Sequence, residues 1–115
     1  MEKTAAIQSL AALAQESRLD IFRLLIQAGP EGIAAGQIAE SLGLASPTLS
    51  FHLAQLRQAG LVTFRRDGRS LIYAAEFGAM TALIGFLTEN CCGGDLAACM
   101  PDLGAGCASR KEPAA

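Results

Sequence analysis

No cysteine occurs before position 91, no apolar run approaches the roughly eighteen residues that a membrane span needs, and no stretch of the chain repeats another. The first twenty positions carry Gln, Glu, Arg and Asp where a secretory leader would be apolar, so the chain is expected to be cytoplasmic, with no membrane partner. At 115 residues a separate catalytic domain would not fit beside a structural one, and no enzyme activity is expected. Strong charge is lacking too. The net charge of -2 looks wrong for a nucleic-acid partner until it is divided along the chain. Residues 1–45 hold three basic and five acidic groups, residues 46–75 hold four and one, and residues 76–115 hold two and five. The middle segment alone is net positive, and only a surface that faces phosphates has to be. What the chain does have is 51% hydrophobic residues, enough for one core closed alone or in a dimer.

Hydrophobic periodicity and turn residues divide the chain into an ordered run of elements. Ile7, Leu10, Ala11, Leu13 and Ala14 recur at helical spacing between Thr4 and Ala14, giving an amphipathic first helix whose apolar face needs a partner. Ser17 to Ala28 repeats the pattern with Leu19, Ile21, Phe22, Leu24, Leu25 and Ile26, and stops at Gly29-Pro30. A short third helix, Ala35 to Leu42, turns Ile38, Ala39 and Leu42 inward and is closed by Gly43, suited to a left-handed cap. Ser46 as N-cap and Pro47 in the first turn open a fourth helix, lined on one face by Leu49, Leu53 and Leu56 and ended at Gly60. Two β-prone runs, Leu61 to Arg66 and Ser70 to Ala74, flank Asp67-Gly68, a hairpin signal. The last helix, Glu76 to Cys92, carries Phe77, Met80, Leu83, Ile84 and Leu87. This is more apolar surface than a lone terminal helix usually shows, and a dimer contact would use the surplus. From Gly93 onward Gly, Ala and Pro dominate without periodicity, so the chain divides into a domain over residues 1–92 and a flexible tail over 93–115.

Two short helices joined by a tight glycine turn and followed by a hairpin form a helix-turn-helix with a wing. The fold expected is mainly α with one β-hairpin, and its order sends the fourth helix into a DNA major groove. With Leu49, Leu53 and Leu56 turned inward, Ser46, Pro47, Thr48, Ser50, Phe51, Ala54 and Gln55 lie near the outer face. Ser46, Thr48, Ser50 and Gln55 are the candidates for hydrogen bonds to base edges or phosphates. Phe51 is read either as a contact to a thymine methyl or as partly packed beneath the wing. Arg57, Arg65, Arg66 and Arg69 are candidates for phosphate or minor-groove contacts, which set affinity and salt dependence more than sequence choice. His52, the one histidine, falls between Leu49 and Leu56 on the helical wheel. It is expected to be a boundary residue hydrogen-bonded locally, rather than a metal ligand or a catalytic base.

The run Ser50-Phe51-His52-Leu53-Ala54-Gln55-Leu56-Arg57-Gln58-Ala59-Gly60-Leu61-Val62 resembles the recognition-helix signature of the ArsR/SmtB metalloregulatory repressors. Leu13-Ala14-Gln15-Glu16-Ser17-Arg18-Leu19-Asp20-Ile21 resembles the opening of that family's second helix, and Arg65-Arg66-Asp67-Gly68-Arg69-Ser70-Leu71-Ile72-Tyr73 resembles its wing. The resemblance covers residues 4–90 and implies a homodimeric winged helix-turn-helix repressor on double-stranded operator DNA.

All four cysteines, Cys91, Cys92, Cys99 and Cys107, fall in the last quarter of the chain. Structural cysteines would more often be scattered through the core, and disulfides are uncommon in a reducing cytosol, so the cluster points to metal or metalloid binding or to a redox response. Adjacent thiols on a helix point about 100° apart and reach one ion only where the helix unwinds, which Gly93-Gly94 permits. A helix C-terminus disfavours a thiolate, and no cysteine is followed by arginine at the spacing of a phosphatase-like loop, which counts against a thiol enzyme.

The resembled family often carries a short Cys-x-Cys type motif at the start of the third helix, where this chain has Ala34-Ala35-Gly36-Gln37. Its Asp and His zinc site on the last helix is missing as well. Cys91-Cys92 with Cys99 instead resembles the arsenical-sensing members. Trivalent arsenic and antimony keep a lone pair and prefer three thiolates in a pyramid, which these three residues would supply, with Cys107 either a fourth ligand or a bystander. A zinc site using all four thiolates stays open, although zinc motifs usually pair cysteines about two to four residues apart. The expectation is a repressor that releases operator DNA when trivalent arsenic or antimony binds these cysteines, with no organic cofactor. Its alternatives are the same repressor answering to a soft divalent metal, a methylated arsenical or an oxidant, and a thiol-based metalloid carrier or redox protein without DNA binding.

Overall fold

The computed structural model describes residues 1–89, over which five helices and three short strands follow one another. In chain order they are α1 (Lys3–Leu13), α2 (Glu16–Ala28), β1 (Ile33–Ala34), α3 (Ala35–Leu42), α4 (Ser46–Gln58), β2 (Val62–Asp67), β3 (Ser70–Ala75) and α5 (Phe77–Leu87). Met1–Leu83 closes as one unit, and a second begins at Ile84, inside α5. Among the described residues no helix is long and apolar enough to cross a membrane.

The core of the first unit collects one side of each helix around the sheet. Ile21, Phe22 and Leu25 of α2, Ile38 of α3 and Leu49, Leu53 and Leu56 of α4 are buried together with Leu61, Val62, Tyr73 and Ala75. These are the 3.6-residue repeats that a helix needs to bury one face. α2 begins where the Gln15 side chain accepts a hydrogen bond from the Arg18 amide at 2.8 Å, and ends at Gly29, with φ at +87°.

α1 forms over Lys3–Leu13 and part of its apolar face is left without a partner in the chain. It buries Ala6, Ser9 and Ala12, the small residues that let two helices approach closely, and leaves Ile7 and Leu10 exposed. Small residues let α1 pack closely on α2 and α4, with Leu13 partly buried against the core, while Ile7 and Leu10 face away from it.

The turn between α3 and α4 forms as expected, with Gly43 in the left-handed region at φ +65°. The start of α4 does not. Ala45 is its N-cap and its carbonyl accepts the first helical bond, from the Leu49 amide, so Ser46 lies inside the first turn beside Pro47 and its hydroxyl caps nothing.

β2 and β3 pair antiparallel from Val62↔Ala75 to Asp67↔Ser70. The two loop residues are therefore Gly68-Arg69, one step beyond the Asp67-Gly68 dipeptide. Gly68 has φ +66°, the positive value that the first position of a primed hairpin turn requires. The sheet also has a third strand with no signal in the periodicity. β1 is two residues long and pairs with β3 as Ile33↔Tyr73 and Ala34↔Ile72, giving the order β1-β3-β2. Gly32, at φ +80°, leads into it where a Cβ would overlap the Tyr73 carbonyl.

α5 places Leu83 in the buried set, with Phe77 and Met80 packed on the core. It ends at Leu87, short of the expected Cys92. The Thr88 hydroxyl donates to the Ile84 carbonyl at 2.8 Å, and Glu89 follows where an acidic side chain opposes the helix dipole. Cys91, Cys92, Cys99 and Cys107 lie outside the described residues, as does the boundary expected between residues 92 and 93.

Candidate nucleic-acid interface

Three leucines fix the orientation of α4. Because Leu49, Leu53 and Leu56 are 0–3% exposed, the helix cannot rotate without losing its core contacts. Ser46, Pro47, Thr48, Ser50 and Phe51 are then all exposed on the N-terminal half, the end that a helix-turn-helix presents to base edges. Phe51 is 57% exposed, so most of its ring surface is open. Its ring lies in an edge-type arrangement with His52, the centroids 5.7 Å apart. Gln55 is set apart from this group. It is half-buried and lines an open cleft of about 500 Å³ with Gln8, Ala11 and Arg18.

His52 is more deeply placed than a boundary residue, at 8% exposure, and its contact is not local. Its Nδ1 lies 3.4 Å from an Arg18 guanidinium nitrogen, across from α4 to α2. A guanidinium has no acceptor, so this contact needs the lone pair on Nδ1 and the hydrogen on Nε2. Arg18 also donates to the Ala12 carbonyl at 2.7 Å, which ties α1, α2 and α4 together at one residue. The contact bears on structure, and among the described residues no group of three or more His, Cys, Asp or Glu could hold a metal ion.

The four arginines divide into two pairs. The Arg57 guanidinium carbon stands 4.3 Å from the centre of the Phe64 ring, and Phe64 stacks on Tyr73 at 5.6 Å and 28°. Arg65 donates to the Glu31 carbonyl at 3.0 Å. Among the described residues the side chains of Arg66 and Arg69 have neither a hydrogen-bonding nor an aromatic partner, and both residues are exposed at the hairpin tip. Sequence reasoning missed Phe64 and the Glu31 carbonyl. Phe64 falls two residues after buried Val62, on the same face of the strand, and that period was the available signal. A backbone carbonyl leaves none.

Residues 13–64 match the helix-turn-helix domain family, spanning α2 to the start of the wing. The nodulation protein NolR of Rhizobium meliloti is 35% identical over 80 residues, 70% of this chain, and the chain spans 63% of NolR's length. The transcriptional activator HlyU of Vibrio cholerae is 33% identical over 94 residues, 80% of this chain and 84% of HlyU. A solved HlyU structure superposes with a TM-score of 0.61 at 35% identity, covering 76% of this chain and 97% of that one. The homodimeric winged helix-turn-helix DNA-binding domain of Mb0332 from Mycobacterium bovis, a possible ArsR-family transcriptional regulator, superposes with a TM-score of 0.60 at 31% identity. It covers 76% of this chain and 81% of that one. A Halobacterium salinarum protein named for repression of an arsenical resistance operon is 40% identical over 65 residues, 56% of this chain and 50% of its own. A leucine-anchored α4 with an open outer face, a hairpin wing and this set of relatives have one reading: the chain belongs to the ArsR family of helix-turn-helix transcriptional regulators.

Proposed function

We propose that the protein is a homodimeric repressor that binds operator DNA through α4 and the wing, and releases it when trivalent arsenic or antimony binds cysteines beyond the described residues. The observation that carries the DNA-binding half is the open face of α4, where Ser46, Thr48, Ser50 and Phe51 stand exposed on a helix held by three buried leucines. Serine and threonine hydroxyls bond base edges or phosphates, Phe51 suits a thymine methyl, and the uncapped amides of the first turn suit a phosphate. Arg66 and Arg69 add phosphate contacts from the tip. Two such helices in a dimer would read half-sites about 34–36 Å apart on a near-palindromic operator.

Support for the signal comes from the sequence and from one relative. Cys91, Cys92 and Cys99, with Cys107 as a fourth ligand or a bystander, offer the three thiolates that a pyramidal trivalent arsenic or antimony takes. The Halobacterium salinarum relative is named for an arsenical resistance operon. Coupling of about 1–3 kcal/mol between ion and DNA would weaken binding roughly 5- to 150-fold.

The test is fluorescence anisotropy of the reduced protein on its own upstream promoter DNA, titrated with arsenite, for the wild type and Cys99→Ser. Arsenite should release the wild type and leave Cys99→Ser bound. Binding that arsenite never weakens would sink the choice of signal, and the absence of specific binding would sink the repressor.

A further inference from the structure

The four wing and recognition-helix arginines do not have one job. We propose that Arg57 and Arg65 are positioning residues that latch the wing to the body from its two faces, leaving Arg66 and Arg69 to meet phosphate. This rests on the DNA-binding reading above only for its second half, since the latch itself belongs to the free protein.

The register of the sheet locates the need for it. β1 pairs with β3 at Tyr73 and Ile72 and no further, so beyond those rows the hairpin is a two-stranded ribbon carrying Arg66, Asp67, Gly68, Arg69, Ser70 and Leu71. A two-stranded ribbon is marginally stable by itself in water. Phe64 pairs with Tyr73 and Arg65 with Ile72, which puts the ring that Arg57 covers and Arg65 itself in the last two rows that the third strand supports. Both attachment points stand at the base of the ribbon, where a restraint fixes the direction of everything beyond.

Successive side chains of a strand point to opposite faces, so Phe64 and Arg65 reach opposite ways. On one face Arg57, in the last turn of α4, covers the Phe64 ring, and Phe64 stacks on Tyr73, itself only 8% exposed. A continuous stack therefore runs from the recognition helix to the middle strand of the sheet. From the other face Arg65 donates to the Glu31 carbonyl, in the loop that enters β1. A guanidinium suits both contacts, since it stacks flat on an aromatic face and offers donors in a fixed fork. The consequence is a wing whose tip is aimed by α4, so that Arg66 and Arg69 meet phosphates in a geometry set before DNA arrives.

Two measurements separate a latch from a phosphate contact. The first needs no DNA. Backbone amide exchange across Arg66–Leu71 should be about two- to fivefold faster in Arg57→Gln, Phe64→Leu and Arg65→Gln, the range that an exposed cation–π or single hydrogen bond converts to. Arg66→Gln and Arg69→Gln should keep the wild-type rate. The second measures operator affinity against salt. Arg66→Gln and Arg69→Gln should each lower the slope of log K on log salt by about 0.9, as the loss of one phosphate contact does. Arg57→Gln, Phe64→Leu and Arg65→Gln should weaken binding about two- to fivefold at every salt concentration and keep the slope. Phe64→Leu decides most, because it removes the ring and no charge. A slope lowered by about 0.9 in Arg57→Gln or Arg65→Gln, or wing exchange unchanged by Phe64→Leu, overturns the proposal. If the wild type binds no operator, the repressor reading fails while the exchange measurement still decides the latch.

Discussion

Gly32 and Gly43 both adopt positive φ, at +80° and +65°, yet a methyl group would meet different surroundings at each. At Gly43 nothing lies within 4 Å, so alanine carries only the conformational penalty of the left-handed region, about 1–2 kcal/mol. At Gly32 the methyl would also overlap the Tyr73 carbonyl and crowd Ile72, the two residues that β1 pairs with. Overlap with backbone cannot be relieved by a rotamer change, so Gly32→Ala should cost about 3 kcal/mol or more. Urea denaturation of the two variants checks the difference, and equal losses would show that β1 does not depend on the close approach. A single residue is illegible in the sequence where its partner is distant along the chain. His52 had the wheel position of a boundary residue, but the group that holds it, Arg18, is 34 positions away.

Along α4 the two faces should respond to substitution in opposite ways. Leu53 is 2% exposed among core side chains, and Leu53→Ala should destabilise by about 2–5 kcal/mol. Phe51, on the open face, should lose less than about 0.5 kcal/mol on truncation to alanine. Phe51→Ala should instead weaken operator binding about four- to fifteenfold, the worth of one or two buried methylenes at the groove. Thermal unfolding and anisotropy of both variants test this, and a Phe51→Ala protein with lowered stability and unchanged affinity would put that ring in the core. This element was legible because Leu49, Leu53 and Leu56 repeat with the helical period and Gly43 and Gly60 mark its ends. β1 was not, since two residues hold no period and its partner strand is 38 or more positions on. α1 was legible as a helix with an unpartnered apolar face, but the residues it buries were not, because Ala6, Ser9 and Ala12 carry little hydrophobic signal. The arginines could be placed near DNA from the sequence, but their division into two pairs depends on Phe64 and a carbonyl, which only the folded chain brings to them.

At the scale of the molecule, the apolar residues left outside the core bear on what the chain assembles with. Ile7 and Leu10 are 58% and 43% exposed on α1, and Ile84 and Leu87 are 39% and 57% exposed on α5. Each helix thus keeps a pair of large side chains that its own packing does not use. The homodimer proposed above supplies the occupant, a second copy, and the DNA-binding domain of the Mycobacterium bovis relative is homodimeric. Symmetry then requires that the same surface serve both copies. Glutamates at both Ile7 and Leu10 should leave the fold intact, because neither side chain enters the core, and should convert a dimer to a monomer in analytical ultracentrifugation. Operator affinity should fall with it by about 10²- to 10⁴-fold, because two linked half-site contacts become one. Circular dichroism guards against simple unfolding. A double variant that still sediments as a dimer would move the interface off α1, and a wild type that sediments as a monomer while binding a palindromic site with one protomer would remove the need for it. The dimer matters to the proposed signal as well. If the ion acts, as proposed, by changing how two readers are spaced, a monomeric variant that still binds DNA should no longer be released by arsenite.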